Sequence, residues 1–398
     1  MPNKRIAAII LLLMVMAQIG TDVYLASLPA MQLALKTSTH LVQYTFSVFL
    51  AGFAISQLFY GPLSDRFGRK FFILFGLVVY SLMSIWCIVS TNISELLLAR
   101  FIQGIGAGAC TVIARSIMRD VFDGRDLDKM NIYQSMVWSM VPISAPLLGG
   151  YIQQYLGWRY NFLFLSACSV VVLLICWIKL PETLKAKESA LKFKQVLFDY
   201  KSILCTKSFM LNLIFSACVI SLFAVFNVSA PLIIQVLFKQ TAVIYGWSVF
   251  SVAITFLLGS IISRSLIHKL LPHQLMCLGL SMITLAGFVM LVINSIIRPS
   301  MYSFLLPMMF VQVGCAIAFP SAAAETMRPF TQKTGKAAAL FGSILFLGSA
   351  ISSGIMSHLS ENTLIPFSLM IFILALIMLS AYVFIFKHYK KTRRLMHD

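Results

Sequence analysis

Residues 44–70 read YTFSVFLAGFAISQLFYGPLSDRFGRK, and this stretch decides the fold. It begins as an apolar run close to the length of helix that crosses a bilayer, and that run ends in a short charged loop. A second apolar run begins at residue 71. The stretch therefore predicts two membrane-spanning helices joined by a tight, charged turn.

The same pattern continues along all 398 residues. Apolar stretches near twenty residues recur, and each is long enough to span a bilayer as a helix, which satisfies its own backbone hydrogen bonds inside lipid. We count twelve, numbered here as spans 1 to 12, with centres near Leu13, Phe53, Leu82, Gly106, Val141, Val171, Leu222, Phe256, Leu285, Gln312, Phe346 and Leu374. The predicted fold class is an all-α integral membrane protein of twelve helices in two six-helix bundles.

Composition excludes several classes of protein. Hydrophobic residues make up 60% of the chain and charged residues 11%, whereas a soluble domain is nearer 45–50% apolar and about 25% charged. A soluble enzyme and a disordered chain are therefore poor fits. The expected partner is the lipid bilayer, and nucleic acid is not expected despite a net charge of +18.

The positions of the positive charges explain that net charge. Of the thirty-one Lys and Arg residues, twenty-six fall in the segments that face the cytoplasm if the N-terminus lies inside, and four fall in the outer loops. Positive charges accumulate on the cytoplasmic side of membrane proteins. We therefore expect both termini of this multi-pass membrane protein to be cytoplasmic.

One long charged loop divides the chain. The expected organisation is a first bundle over 1–180, a cytoplasmic linker over 181–207, a second bundle over 208–386 and a basic tail over 387–398. The amphipathic part of the linker, near residues 191–200, either lies on the membrane surface or is a simple connection. TDVYLASLP in span 1 and FNVSAPLII in span 7 each place a polar residue shortly before a proline, and such internal repeats are typical of secondary transporters.

The chain lacks the GxxxxGK[ST] motif of an ATPase. Transport is then passive or driven by an ion gradient. We expect no cofactor, no bound metal and no enzymatic activity, because the six histidines are dispersed and no set of nucleophile, base and acid is apparent. A non-transporting membrane sensor is a remote alternative. The fold needs no second subunit to form a pathway, so we expect a monomer.

Asp22 is the one acidic residue expected inside an apolar span. A charge at the centre of a membrane helix costs roughly 2.5–3.5 kcal/mol on insertion scales, so such residues are retained for function or for a buried pair. The functional interpretation is a site that binds and releases a proton, with Gln18 one helical turn away. The structural alternative is a fixed salt bridge or a cap near a helix end.

Arg100 is expected to be the only cation embedded in a span. It either adjusts the proton affinity of the carboxyl by approaching and withdrawing, or it braces span 4 by bonding backbone carbonyls or Gln103. The sequence does not show whether Arg100 and Asp22 meet.

GPLSDRFGRK resembles the signature of the loop between helices 2 and 3 in the major facilitator superfamily, in which this cluster acts as a conformational latch. The matching residues are Gly61, Asp65, Arg66, Gly68, Arg69 and Lys70. In physical terms, Gly61 is expected to permit close helix approach, and Asp65 can sit against helix N-termini and basic partners.

Further segments resemble motifs of the same superfamily. LLLARFIQGIGAGA resembles its helix 4 motif, whose arginine, here Arg100, is associated with proton coupling. MVPISAPLLGG resembles the helix 5 motif of drug-exporting antiporters, with Pro142, Pro146, Gly149 and Gly150 in place and Ala145 where glycine is usual. TDVYLASLP resembles the helix 1 signature of the Bcr/CflA-type (bicyclomycin-resistance-like) drug:proton antiporters. RSIMRDVF, with Arg115, Arg119 and Asp120, resembles their loop between helices 4 and 5 and adds Arg119 to the latch.

A cavity for amphipathic molecules needs aromatic walls and a few polar groups. The candidates are Tyr24, Tyr44, Phe53, Gln103, Gln134, Trp138, Asn227, Gln235 and Gln312. Asn227 stands out because it occupies the place in span 7 that Asp22 holds in span 1.

The function that this resemblance implies is export of drugs or similar amphipathic small molecules by antiport with protons, in the inner membrane of a bacterium. Export or proton-coupled import of a specific natural metabolite, such as a siderophore, is the alternative on the same fold. The direction of accumulation in vesicles distinguishes the two.

Overall fold

The computed structural model describes residues 4–184, 193–330, 334–359 and 363–394. This part of the chain contains twelve helical spans that are long and apolar enough to cross a membrane. All twelve predicted centres fall inside them, which confirms the fold class. In chain order, the spans are Lys4–Ala34, Thr39–Phe67, Arg69–Val89, Ile93–Val121, Gly124–Tyr155, Trp158–Lys179, Lys207–Leu237, Ala242–Leu266, Pro272–Ile296, Met301–Met327, Thr334–Ser357 and Ile365–Lys387.

Span 1 is a broken helix. An α-helix over Lys4–Asp22 gives way to a five-residue 3₁₀ segment, Val23–Ser27, before a second helix covers Leu28–Ala34. Pro29 has no N–H to donate to the carbonyl of Leu25, and the N–H of Leu28 bonds that carbonyl in the tighter 3₁₀ pattern. The break therefore begins directly after Asp22.

Span 7 also loses its α-helical regularity near a proline. Its α-helix, Lys207–Leu232, contains Pro231 and is followed by a π-helical segment, Ile233–Leu237. The predicted echo between spans 1 and 7 therefore has a structural counterpart, although span 1 tightens at its break and span 7 widens.

The chain forms two compact units. The first contains residues Met1–Phe193 together with Gln240–Phe250, and the second contains Lys194–Lys239 and Ser251–Asp398. In the first unit, span 4 packs on both span 2 and span 3. Gly52 and Gly104 make the contact with span 2 possible, because a Cβ atom at either would overlap a backbone carbonyl of the other span. Small residues of this kind let membrane helices approach closely.

The second unit has a comparable close contact between spans 9 and 10, where Gly279 and Gly314 face each other's backbone. A short helix, Phe193–Leu204, precedes span 7. Asp199 on this helix forms an ion pair of 2.7 Å with Lys336 at the start of span 11. The end of the linker is therefore helical, whereas residues 185–192 of the linker and 395–398 of the tail lie outside the described residues.

The proposed domain limits and the cytoplasmic placement of the termini stay predictions. One expectation about the spans is wrong. Arg100 is not the only cation inside a span, because the helix of span 4 continues to Val121 and so includes Arg115 and Arg119. Both arginines lie in RSIMRDVF, whose resemblance predicts the loop between helices 4 and 5.

Candidate functional site

Asp22 lies at the break of span 1 and is buried, with 4% of its surface exposed. Thr21 Oγ1 is 3.0 Å from Asp22 Oδ1 and 2.5 Å from the carbonyl oxygen of Gln18, to which it donates. A single hydroxyl proton cannot serve both acceptors at once. The Thr21 hydroxyl therefore has two alternative partners, and one of them is the carboxyl.

Arg100 is fully buried in a socket of the first unit. Its Nη1 donates to Gln103 Oε1 at 2.6 Å, and Gln103 Nε2 in turn donates to Ser84 Oγ at 2.7 Å. The guanidinium carbon lies 4.1 Å from the ring centroid of Tyr24 and 4.2 Å from that of Phe49. Stacking between two aromatic rings stabilises a buried guanidinium by cation–π attraction.

The third contact of Arg100 joins span 4 to span 1. Its Nη2 donates to the carbonyl oxygen of Gly20 at 3.0 Å, two residues before Asp22. No ion pair within 4 Å joins Arg100 to Asp22 in the described part of the chain. Both predicted bracing contacts of Arg100 are therefore present, and the arginine holds the backbone that carries the carboxyl rather than the carboxyl itself.

Span 5 contacts span 1 just after Asp22. A Cβ atom at Gly149 would overlap the carbonyl oxygen of Val23, so only glycine allows the two backbones to lie this close. Asn161 of span 6 completes the contact, since its Nδ2 donates to Ser27 Oγ at 2.8 Å and to Gly149 O at 3.4 Å. Residues 20–27 of span 1, which we call the span 1 break, are thus held by spans 4, 5 and 6.

The rest of the span 5 motif faces the segment Gln240–Phe250. A Cβ atom at Gly150 would press on the carbonyl of Ala242, and one at Gly246 would press on Leu147. Pro142 and Pro146 both lie inside the helix of span 5. The motif residues therefore form a surface of close backbone contacts with two neighbouring helices.

Tyr245 was not predicted from the sequence. It is fully buried, and its side chain is close enough to Asp22 and Tyr24 to interact with them electrostatically. Its hydroxyl has no hydrogen-bond partner among the described residues. A tyrosine in a second-half span gives no sequence signal that it will interact electrostatically with a first-half carboxyl.

A second cluster, the latch, surrounds Arg69 at the turn between spans 2 and 3. Arg69 pairs with Asp65 at 2.5 Å and with Asp120 at 3.0 Å, and its Nη1 donates to Ser64 Oγ at 2.7 Å. Asp65 therefore has the basic partner that was expected. Asp120 of span 4 was not expected in the latch, although it lies next to Arg119 in RSIMRDVF.

Glu182 is the second latch residue that sequence reasoning missed. Its Oε1 accepts from the backbone N–H groups of Arg69, Thr183 and Leu184 at 2.9, 3.0 and 3.0 Å, and its Oε2 accepts from Lys70 N at 3.2 Å. Partial burial raises the pKa of Glu182, but the four N–H donors outweigh it and hold the pKa below its ordinary value of 4.5. The carboxylate thus caps the N-terminus of span 3, where negative charge is favourable.

The turn geometry leaves room for this cap. Gly68 has a φ of +108°, and a Cβ atom there would collide with the Glu182 carboxylate. Lys70 Nζ donates to the carbonyl of Trp177 at 2.9 Å, at the end of span 6. The latch therefore joins the turn between spans 2 and 3 to span 4 and to the end of span 6.

Three other latch predictions have different outcomes. The expectation that Gly61 permits close helix approach is wrong. The atom nearest to a Cβ built at Gly61 is Val112 Cγ1 at 4.0 Å, which is an ordinary contact distance. Arg66 lies over the ring of Phe67 at 4.9 Å. Arg119 is exposed and takes no part in the ion pairs around Arg69 within the described residues.

The nine cavity candidates fall into two groups. Tyr24, Phe53, Gln103 and Gln312 are buried; the first and third contact Arg100, and Phe53 stacks on Phe49. The half-buried candidates, whose side chains keep accessible surface, are Tyr44, Gln134, Trp138, Asn227 and Gln235. Tyr24 and Gln103 thus belong to the Arg100 socket rather than to an open surface, and the others stay candidates.

A sequence profile of the Major Facilitator Superfamily matches residues 10–353. The chain belongs to this superfamily. It is therefore a membrane transporter for small molecules and not an enzyme. The superfamily profile covers both halves of the chain, including the second half, in which the recognised motifs are fewer.

Several bacterial relatives are similar over most of their length. A chloramphenicol resistance protein of Pseudomonas aeruginosa is 31% identical over 91% of this chain and 86% of its own. The multidrug resistance protein MdtL of Shewanella oneidensis is 30% identical over 88% of both chains. An uncharacterized transporter of Rickettsia bellii is 29% identical over 97% of both chains.

The fold also resembles solved transporters. The crystal structure of a D-xylose-proton symporter superposes with a TM-score of 0.76, covering 94% of this chain and 96% of the other at 17% identity. That likeness concerns the fold alone.

Proposed function

We propose that this transporter exports drugs or similar amphipathic small molecules by antiport with protons, in the inner membrane of a bacterium with both termini in the cytoplasm. The observation that carries the proposal is the position of Asp22. A buried carboxyl stands at the start of a helix break, and the break is held by Arg100, Gly149 and Asn161.

The proton acts at this break. When Asp22 is ionised, it accepts the hydrogen bond of Thr21, and the substrate binds from the cytoplasmic side. After the substrate leaves outward, a proton from outside binds Asp22, the Thr21 hydroxyl turns to the Gln18 carbonyl, and the empty carrier returns. Protonation thus changes both the charge and the hydrogen bonding of a segment that contacts three other spans.

The latch and the span 5 motif have separate roles in this proposal. The ion pairs of Arg69 with Asp65 and Asp120 are stable when the turn between spans 2 and 3 lies against span 4, and they therefore favour the state shown here. The backbone contacts of Gly149 and Gly150 transmit movement of the span 1 break to the segment Gln240–Phe250.

The energetics are sufficient for export. One proton that moves inward across 100 mV contributes about 2.3 kcal/mol, which sustains a substrate gradient of roughly fifty-fold from the voltage alone. The drug class follows from the relatives named as chloramphenicol and multidrug resistance proteins, and the antiport direction follows from the span 5 motif.

The test uses inverted membrane vesicles that are made acidic inside. A panel of cationic, zwitterionic and neutral antibiotics is added, and the internal pH is followed. We expect at least one compound to raise the internal pH, as proton exit accompanies drug entry into the vesicle. If no compound changes the pH, while folded protein is present in the vesicles, drug:proton antiport is wrong and a dedicated metabolite carrier replaces it.

A further inference from the structure

Arg115 is a charged residue inside span 4 that the proposed mechanism does not use. It is half-buried and lies six residues before the end of the helix Ile93–Val121. Within the described residues, its guanidinium donates no hydrogen bond and has no carboxylate within 4 Å, and its Nε is sealed from solvent without an acceptor. A guanidinium carries five N–H donors, so the hydrogen-bonding capacity of Arg115 is unused within the described residues.

Two other arginines of the first unit, Arg69 and Arg100, are buried and have several polar partners. Arg69 is surrounded by two carboxylates and a serine, and Arg100 has an amide, a backbone carbonyl and two rings. The contact found for Arg115 is with the ring of Trp138 on span 5, at 5.5 Å from its centroid. That contact is not a hydrogen bond, so the N–H groups of the guanidinium stay without an acceptor among the described residues.

The side chain of Gln18 connects Trp138 to span 1. Gln18 Nε2 donates to the carbonyl oxygen of Trp138 at 3.4 Å, which holds the amide next to the tryptophan, and Gln18 Oε1 is buried with no donor among the described residues. The carbonyl of Gln18 also accepts from Thr21, the residue that touches Asp22. The surroundings of Trp138 are thus connected to the proposed proton site by one turn of span 1.

We propose that Arg115 and Trp138 form a subsite for the carboxylate of an aromatic organic anion carried by this transporter. The planar guanidinium presents two parallel N–H groups that match the two oxygens of a carboxylate. Trp138 supplies an aromatic surface for the ring of the same molecule. The proposal rests on the proposed transport function and specifies one substrate class for it.

Charge explains why this class fits. Arg119 lies one turn away with the same sign, and no carboxylate of the described residues neutralises Arg115. A partly desolvated positive site of this kind favours an anion over a neutral molecule of equal shape. Because Gln18 bonds the carbonyl of Trp138 and its own carbonyl accepts from Thr21, a bound anion and the Asp22 proton influence the same turn of span 1.

The test measures binding of a matched pair of probes, 1-naphthaleneacetate and 1-naphthaleneacetamide, to the full-length protein in nanodiscs of zwitterionic phospholipid. The wild type is expected to bind the carboxylate at least 10-fold more tightly than the amide. Arg115→Gln is expected to bind both equally, with little change in affinity for the amide. Arg115→Lys keeps the positive charge but not the two parallel N–H groups of the guanidinium. It is expected to keep part of the preference for the carboxylate.

Arg125→Gln is the matched control, because it removes an exposed arginine at the start of span 5 and is expected to leave the preference within 2-fold of the wild type. A wild type without preference for the carboxylate, or an Arg115→Gln variant that keeps it, overturns the proposal. Nanodiscs containing phosphatidylglycerol provide a second arm. If that lipid abolishes the preference, the subsite belongs to a lipid headgroup and the substrate role is wrong.

The outcome is independent of the antiport test. Absence of drug-induced alkalinisation would contradict the antiport proposal. Equal binding of the two probes by the wild type would contradict the subsite proposal alone. Thermal unfolding of each variant in the same nanodiscs separates loss of the subsite from loss of the fold, and Arg115→Lys keeps the measurement interpretable if Arg115→Gln does not fold.

Discussion

The guanidinium of Arg100 holds the backbone of span 1 through the carbonyl oxygen of Gly20, with an Nη2 to oxygen distance of 3.0 Å. The bond lies two residues before the buried carboxyl of Asp22. Arg100 therefore fixes the position of the proposed proton site without pairing with it. This relationship makes the arginine a positioning residue, and its removal should disturb both folding and transport.

Arg100→Lys tests the geometry of this contact. Lysine keeps the charge, but its ammonium lacks the planar guanidinium that donates to both Gln103 and Gly20. It also cannot stack on the rings of Tyr24 and Phe49. Because hydrogen bonds to charged groups contribute about 1.5–3 kcal/mol each, we expect a lower unfolding temperature and at least a tenfold lower transport rate. Arg125→Lys, at an exposed arginine, is the control, and equal effects of the two changes would contradict the positioning role.

Gly20 and Tyr80 provide a paired test of the same region. A Cβ atom at Gly20 would overlap the Tyr80 hydroxyl, which is buried and has no partner among the described residues. Gly20→Ala should therefore destabilise the protein by about 1–3 kcal/mol, as overpacking usually does. Tyr80→Phe alone should cost little, and the double variant should recover part of the loss in thermal unfolding. Strictly additive effects would show that the two residues do not touch.

Gly149→Ala and Gly61→Ala make a matched pair of substitutions. The added methyl at position 149 meets the carbonyl of Val23, whereas the methyl at position 61 meets only Val112 Cγ1 at 4.0 Å. We expect at least a tenfold lower transport rate for Gly149→Ala. Gly61→Ala should keep stability within about 0.5 kcal/mol or raise it. A tolerated Gly149→Ala in a transport assay would refute the close contact between span 5 and the span 1 break.

Glu182→Gln tests the latch through its pH dependence. The pKa of Glu182 is below its ordinary value of 4.5, so its contribution is present at neutral pH and is lost as the pH falls through the lowered value. The difference in unfolding temperature between wild type and Glu182→Gln should thus be largest near pH 7 and shrink in acid. Glu325→Gln, which removes an exposed pair with Arg328, is the control.

A constant difference between wild type and Glu182→Gln at every pH would mean that the substitution acts through packing rather than through charge. The control variant should differ little from wild type throughout, since exposed ion pairs contribute about 0–1 kcal/mol.

The sequence was informative wherever the signal is local. Apolar length predicts all twelve spans, and a charge inside an apolar run singles out Asp22 and Arg100. The structure joins their spans through the bond from Arg100 to the carbonyl of Gly20. The break after Asp22 was not predicted, although Pro29 lacks the N–H that the carbonyl of Leu25 would accept in an α-helix.

The sequence was uninformative wherever a contact depends on distant segments. Glu182 caps a helix that begins 113 residues earlier, so its role is invisible until the bundle is assembled. Arg115 resembled a loop residue because positive charges near the cytoplasm are common, and only the length of the span 4 helix places it inside. Tyr24 and Gln103 are polar enough to suggest a cavity, yet both side chains contact the buried guanidinium of Arg100.

The central claim is that Asp22 couples the proton to the substrate, and Asp22→Asn in proteoliposomes tests it most directly. Asparagine keeps the size of the side chain but cannot bind and release a proton. We predict that the variant still exchanges labelled for unlabelled substrate across the membrane, while accumulation driven by a pH gradient is lost. Accumulation at the wild-type rate by folded Asp22→Asn protein would contradict the account.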